Sequence, residues 1–271
     1  MAVYQIKKRR GFFSSLSLTT QLIILNLALY FIGIILLSVY GEQFVLDYIA
    51  LTPSIVLSGK SVWTVLTSMF MHGSFFHIFA NMFSLFFIGG FLEKIIGRKR
   101  FFFVYMISGI IGGLFYILGA MLLGGLDVPA VGASGAIFGL LGVLAILVPY
   151  SKVYLIAGPL IIIVLEVLLA PFLPQNILPI FNFFVNFLII LMIFSLFSFR
   201  SSFRKIAVPV ELPMWLLPII AIVPLTIIGL FVQLPIGNSA HIGGLIAGLA
   251  YAFYLKSKFP NKTKSIMKMF K

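Results

Sequence analysis

The sequence predicts an all-α fold, a polytopic bundle of transmembrane helices. Hydrophobic residues make up 62% of the 271 residues and charged residues only 9%. Soluble domains carry about a quarter charged residues, so this composition is typical of a membrane protein. The chain has no cysteine, which excludes disulfides, thiolate catalysis and cysteine-ligated metals.

Long apolar runs are the second observation behind this fold class. A helix needs about 20 mostly apolar residues to cross a bilayer. Eight candidate runs, of which the fourth and fifth are short, occupy residues 20–40, 76–96, 101–122, 134–149, 153–170, 176–198, 213–233 and 239–256. Breaks at 149–152 and 171–174 contain prolines and separate the fourth, fifth and sixth runs. About eight spans are therefore predicted.

The third observation is that the basic residues collect at one end of these spans. Eight spans threaded from an inside N-terminus put eighteen of the nineteen Lys and Arg residues on one face and only Lys60 on the other. This is the positive-inside pattern, so the net charge of +13 indicates membrane orientation and not nucleic-acid binding. We expect a multi-pass protein of the cell membrane with a cytoplasmic N-terminal segment, 1–19, and a cytoplasmic tail, 257–271. The loop 41–75 is expected at the outer interface, anchored by Trp63 and Tyr48.

Four polar residues are predicted to lie at one depth in the membrane. His77 and Asn81 lie in the first outer turns of the second span, Ser134 begins the fourth, and His241 lies in the first turn of the eighth. Polar side chains inside a membrane are costly and are candidates for function. Their common depth, just below the outer face, predicts a single site.

The residue types of this site fit nucleophilic catalysis. Ser134 begins its helix, where unpaired backbone N–H groups and the positive end of the helix dipole favour an oxyanion. A serine needs a neighbouring base, usually a histidine, to become a good nucleophile. Because no carboxylate is available as a third member, the machinery is predicted to be a Ser134–His241 dyad, with Phe138 stacked on the imidazole.

Two glycine pairs are predicted to bring the two helices together. Gly135 and Gly139 lie one turn apart below Ser134, and Gly244 and Gly248 lie likewise below His241. Small residues at this spacing let helix backbones approach closely in lipid. We therefore expect the two glycine faces to pack against each other.

Three motifs, in this order, resemble the rhomboid family of intramembrane serine proteases. They are His77-Ile78-Phe79-Ala80-Asn81, Gly132-Ala133-Ser134-Gly135, and Ala240-His241-Ile242-Gly243-Gly244 with Gly248. The resemblance implies a single membrane domain over 1–271 with a six-helix core, and it makes 153–198 an inserted helical hairpin. It also implies Ser134 as nucleophile and His241 as base, with Asn81, His77 and the Ser134 N–H as the oxyanion hole and Gly132 and Phe138 in support.

The resemblance also implies a substrate class and shows two departures from the family. Transmembrane protein segments would be cleaved near the outer face, without a metal or cofactor. Where the family's outer loop often has Trp-Arg, this chain has Trp63-Thr64, and Phe138 replaces a tyrosine of some members. The expected partners are transmembrane protein substrates and the lipid bilayer, and the sequence leaves the oligomeric state open.

Two other functions remain to be separated from proteolysis. A rhomboid-like protein could hold transmembrane clients without cutting them, although it need not then keep Ser134 and His241. A transporter should show repeated halves or helices broken at mid-depth, and the sequence indicates neither. Three further polar residues of the spans, Glu166, Asn182 and Asn186, are expected to make helix–helix hydrogen bonds.

Overall fold

The computed structural model describes residues 15–197, 201–229 and 237–270. The basic cluster at 7–10, Arg200, Lys271 and the end of the seventh predicted span lie outside the described residues. The helices are α1 Leu18–Tyr40, α2 Glu42–Tyr48, α3 Pro53–Leu57, α4 Thr64–Thr67, α5 Phe75–Ser84, α6 Gly90–Ile96, α7 Arg98–Leu123, α8 Ser134–Leu147, α9 Ala157–Leu169, α10 Leu178–Ser195, α11 Ser201–Arg204, α12 Leu217–Gly229, α13 Asn238–Lys258 and α14 Pro260–Met269. Two strands, β1 Lys152–Ile156 and β2 Pro209–Pro213, complete the labelled elements.

The described part of the chain is a bundle of apolar helices, and each predicted apolar run contains one. Four helical segments are long and apolar enough to cross a membrane: Leu18–Tyr48, Phe75–Ile96, Arg98–Leu123 and Leu178–Ser195. Shorter apolar helices lie at Ser134–Leu147, Ala157–Phe172 and Met214–Pro224. The predicted multi-pass helical bundle is confirmed at this level, whereas the number of spans and the six-helix core stay predictions.

The centre of the bundle is helix α8, which packs between α7 and α13. From Gly135 to Leu147, α8 is buried except for partial exposure at Phe138 and Ile146. The main hydrophobic core continues into α5, α6 and α7 through Ile78, Leu92 and Phe101, all almost completely buried. A buried helix that is apolar all round is what the featureless hydrophobic pattern of residues 135–147 predicts.

Helices α5 and α6 form one continuous segment through a π-helical turn, Leu85–Gly89. Two consecutive glycines, Gly89 and Gly90, stand at this turn. A Cβ on Gly89 would lie 3.3 Å from Phe101 Cζ and from Thr19 Cγ2, whereas Gly90 has open space beside it. The helix therefore passes close to its neighbours at one of the two glycines and faces outward at the other.

Residues 152–156 contradict the predicted start of the fifth span. They form strand β1, which pairs antiparallel with β2 from Lys152 opposite Pro213 to Ile156 opposite Pro209. Lys152 Nζ lies 2.7 Å from Glu211 Oε1, and the hydrogen bond from this lysine lowers the pKa of Glu211. Both carry exposed side chains, so the pair contributes little stability. The strand is favoured because Val153, Tyr154 and Ile156 are residue types that are common in strands and because a partner strand satisfies the backbone.

Helices α9 and α10 form a hairpin that has its own small core. Val185, Ile189 and Ile193 of α10 are buried against phenylalanine side chains of α5. The rings of Phe79 and Phe194 stack with centroids 6.1 Å apart. The hairpin therefore contacts α5 through long aromatic side chains, separately from the main core.

Candidate active site

Ser134 is presented by a sharp bend of the backbone before helix α8. Gly132 has φ +125°, a conformation that L side chains rarely adopt, and its N–H donates to Ser68 O at 2.8 Å. A Cβ at this position would lie only 2.7 Å from His77 Nε2, so glycine is required for this approach as well. Ser134 is the first residue of α8, where backbone N–H groups lack acceptors within the helix.

The structure brings Ser134 and His241 into hydrogen-bonding contact. His241 Nε2 lies 2.8 Å from Ser134 Oγ, although the two residues are 107 positions apart. The Phe138 ring stacks on the imidazole, with centroids 4.4 Å apart and planes 23° apart. Within the described residues, no carboxylate bonds to His241. The hydroxyl and the imidazole therefore stand as a pair whose ring plane is held by an aromatic neighbour.

His77 and Asn81 lie beside this pair, on one face of α5. Asn81 is 6% exposed, and its Nδ2 donates to His77 O at 2.9 Å. The ring of His77 occupies the space where a Gly132 side chain would begin, and Asn81 Nδ2 lies 3.9 Å from the Cβ position of that glycine. Neither side chain hydrogen-bonds Ser134 or His241 in the described part of the chain. They line the approach to Ser134, with the second Asn81 amide hydrogen free to donate.

The glycine pairs lie where α8 and α13 touch. A Cβ on Gly244 would fall on the carbonyl group of Gly135, and a Cβ on Gly248 would fall on that of Gly139. The two backbones are thus in direct contact below the Ser134–His241 pair. This separation leaves no room for any side chain between the helices.

A third helix, α7, contributes small residues that the sequence analysis did not single out. Ser108 lies against Gly139, and a Cβ on Gly112 would lie 2.9 Å from Ala240 O and 3.4 Å from Gly135 Cα. Ser108 and Gly112 are four residues apart, the same small-residue spacing that identified the two glycine pairs. The same spacing in the sequence could therefore have identified α7 as the third helix of this contact.

His72 also belongs to this region, because its buried ring stands edge-on to that of His77 with centroids 5.1 Å apart. Burial, and after it the nearby His77, lower the pKa of His72 to about 3. His72 is therefore neutral at physiological pH. A charged ring in this position would be desolvated beside a second histidine.

The polar residues of the hairpin form no second site with these. Within the described residues, the side chains of Glu166, Asn182 and Asn186 make no hydrogen bond, so the expected helix–helix hydrogen bonds are absent there. No group of three or more His, Cys, Asp or Glu side chains suited to a metal ion occurs in the described segments either.

Comparison with known proteins agrees with the class that the fold defines, a polytopic helical membrane protein. The Rhomboid domain model matches residues 59–186 and 184–258, more than half of the chain. The chain therefore belongs to the rhomboid family, which confirms the resemblance drawn from the three motifs.

Curated relatives match over shorter stretches. RHOMBOID-like protein 1 of Arabidopsis thaliana is 45% identical over 93 residues, which is 34% of this chain and 23% of the relative. Rhomboid protein 1, mitochondrial, of Saccharomyces cerevisiae is 36% identical over 121 residues, 43% of this chain and 33% of the relative. Inactive RHOMBOID-like protein 8 of Arabidopsis thaliana is 37% identical over 81 residues, which is 30% of this chain and 22% of the relative. The chain thus spans less than half the length of these relatives.

Proposed function

We propose that the chain is an intramembrane serine endopeptidase that cleaves transmembrane segments of other proteins. The observation that carries this proposal is the 2.8 Å contact between Ser134 Oγ and His241 Nε2 at the start of two closely packed helices. Rhomboid membership supports it, since the family consists generally of intramembrane serine proteases.

In the proposed reaction, the neutral imidazole of His241 takes the Ser134 proton as Oγ attacks a substrate carbonyl carbon. The C=O π electrons move to the oxygen, and the resulting oxyanion is stabilised by the Ser134 N–H and by Asn81 and His77. The C–N bond then breaks, and protonated His241 gives its proton to the leaving amine. Water, activated by the same imidazole, hydrolyses the acyl-enzyme and restores the serine.

The stacked Phe138 replaces the orienting role that a carboxylate plays in a triad. In a triad, the third residue fixes the imidazole tautomer and its direction. Here the aromatic ring lies parallel to the imidazole and limits its rotation. The reaction therefore runs with a dyad, in a pocket near one membrane surface where water can enter.

For localisation, we propose the cell membrane, with both termini cytoplasmic and the site near the outer face. Within the described residues, the basic side chains Lys94, Arg98, Lys99 and Arg100 lie at the end of the bundle opposite Ser134, as do the lysines that follow Leu255. The positive-inside rule makes that end cytoplasmic.

The experiment uses the full chain reconstituted in liposomes with a fluorescently labelled transmembrane substrate. Wild type is expected to cleave it, and Ser134→Ala and His241→Ala to lose cleavage by 10³-fold or more, as an order of magnitude. Ser257→Ala, an exposed serine near the far end of α13, is the matched control and should cleave normally. Cleavage that persists in Ser134→Ala would rule out the proposed nucleophile.

A second probe separates catalysis from the alternative of client binding, which the relative named inactive keeps open. A fluorophosphonate reacts with an activated serine, forming a P–O bond to Oγ as fluoride leaves and the proton passes to the base. Labelling of wild type and not of Ser134→Ala supports the proposal. An unlabelled wild type that binds transmembrane peptides without cutting them would favour the client-binding function.

A further inference from the structure

A polar cavity lies in the loop that precedes α5, on the same end of the bundle as Ser134. Its volume is about 560 Å³, and it lies between α2, α3 and the segment from Ser58 to Trp63. The loop is fixed to the bundle by a β-bridge between Leu51 and Ala130. The cavity therefore belongs to a segment that is held against the bundle, and its lining residues do not include those of the Ser134–His241 site.

Two opposite charges face this cavity without pairing. Asp47 and Lys60 both line it, yet the one salt bridge within the described residues joins Lys152 to Glu211. One Asp47 oxygen, Oδ1, accepts from Gln43 Nε2 at 2.8 Å, which leaves the other oxygen available. Lys60 makes no hydrogen bond to any described residue. The cavity thus presents a separated anion and cation, each with bonding capacity left.

Hydroxyl groups add donors to the cavity wall. Ser54 and Ser61 line it, and their hydroxyls make no hydrogen bond inside the described part of the chain. Ser61 has φ +45°, an uncommon conformation for a residue other than glycine, which fixes the backbone next to Lys60. Lys60 and these hydroxyls together can donate to one phosphate group.

The rim of the cavity carries the side chains that anchor proteins at the membrane surface. Trp63 is 51% exposed and donates from Nε1 to Tyr48 O at 2.9 Å, and both residues line the cavity. Leu57 and Val62 beside them are exposed as well. Trp and Tyr concentrate at the level of lipid headgroups, with apolar neighbours facing the acyl chains. The cavity therefore opens at headgroup depth.

We propose that this cavity binds the headgroup of a zwitterionic phospholipid that bears a primary ammonium, such as phosphatidylethanolamine. The phosphate accepts from Lys60 and the serine hydroxyls, while the ammonium donates to the free oxygen of Asp47 and lies near the Tyr48 ring. An anionic headgroup without an ammonium would leave the Asp47 carboxylate unpaired and would be repelled by it. A simple cation would be repelled by Lys60. The glycerol and acyl chains leave the cavity past Leu57 and Val62. The site does not depend on catalysis by Ser134.

The position of Lys60 supports this assignment independently. It is the single basic residue predicted on its membrane face, where the neighbouring charges are Glu42, Asp47 and Asp127. The positive-inside rule therefore does not account for a lysine at this position. A phosphate partner in the headgroup layer neutralises it.

The test uses the tryptophan fluorescence of the full chain. Its two tryptophans are Trp63 and Trp215. Trp215→Phe leaves the cavity residue Trp63 as the single fluorescent reporter. The purified protein in neutral detergent is titrated with dihexanoyl phosphatidylethanolamine and, separately, with dihexanoyl phosphatidylglycerol. We expect saturable binding of the ethanolamine lipid that is roughly five- to tenfold tighter than that of the glycerol lipid.

Two substitutions test the ammonium contact and the phosphate contact separately. Asp47→Asn should remove the preference for the ethanolamine lipid, and Lys60→Met should weaken both lipids by about five- to tenfold. Lys264→Met, an exposed lysine at the opposite end of the bundle, is the matched control and should bind like the parent. Lys60→Gln replaces Lys60→Met if that variant is not monodisperse. Equal affinity for the two lipids, no saturable response, or binding insensitive to both substitutions would overturn the proposal.

Discussion

Replacing Gly112 by alanine tests whether helix packing sets the distance between the serine and the imidazole. The new Cβ would lie 2.9 Å from Ala240 O, whereas ordinary contacts begin at 3.4 Å. The first turn of α13 must therefore move away from α7 by about half an ångström, because the obstructing atom is backbone. Ala240 directly precedes His241, so this movement carries the imidazole with it.

The expected result is a loss of roughly tenfold in kcat/KM, since a misplacement of about 1 Å can cost about a hundredfold. Gly113→Ala is the matched control: its Cβ would meet Leu51 Cδ2 and Val65 Cγ1 at 3.3 Å, and these side-chain tips can yield. Both substitutions change helix propensity equally. Substrate cleavage and the rate of fluorophosphonate labelling measure the effect. Equal rates in the two variants, with both proteins folded, would refute the link between α7 packing and the dyad.

Four further outcomes are expected. Gly248→Ala should destabilise the bundle by roughly 1–3 kcal/mol through overpacking, whereas Gly90→Ala, with open space around it, should not; thermal unfolding in detergent distinguishes them. Phe138→Leu should lower kcat/KM by about fivefold and Phe138→Tyr should not, because only the leucine loses the ring stacked on the imidazole. Glu93→Ala should cost about 2 kcal/mol in unfolding free energy, because the carboxylate accepts three hydrogen bonds from the start of α1; a protein with unchanged stability would contradict this. His72 has a folded pKa of about 3 against 6.5 unfolded. The unfolded state therefore binds more protons at this residue between these values, so His72 by itself should lower stability by about 2 kcal/mol from pH 7 to pH 5. Denaturation curves of His72→Phe should show a pH-dependent loss that is smaller by that amount.

The sequence supports prediction of the helices and of the grouping of polar residues for one physical reason. A chain that is 62% hydrophobic can place a polar side chain in a span only at high cost, so the few that occur are informative. The direction of each span then fixes the depth of its residues. Depth and helical spacing were sufficient to predict that Ser134 and His241 approach each other, and the structure puts them in contact.

Strand β1 could not be predicted because its partner is distant in sequence. Residues 153–156 begin the fifth apolar run, and a short apolar stretch has no periodicity that separates strand from helix. Their conformation depends on β2, which lies beyond the whole hairpin of α9 and α10. The role of the Glu93 carboxylate could not be predicted for a similar reason. The N–H groups that donate to it, at the start of α1, are more than 70 residues away in the sequence.

The glycines connect the stability of this fold to the geometry of its site. A dyad on two helices held apart by side chains would shift with every rotamer change at the interface. Here α8 and α13 meet backbone to backbone at Gly135 and Gly244, and α7 closes the same contact through Gly112. Because main-chain atoms cannot rotate away as side chains do, this packing limits how far the two helices can move relative to each other. The same contacts that exclude larger residues therefore help to keep the hydroxyl and the imidazole within hydrogen-bonding distance without a third polar residue.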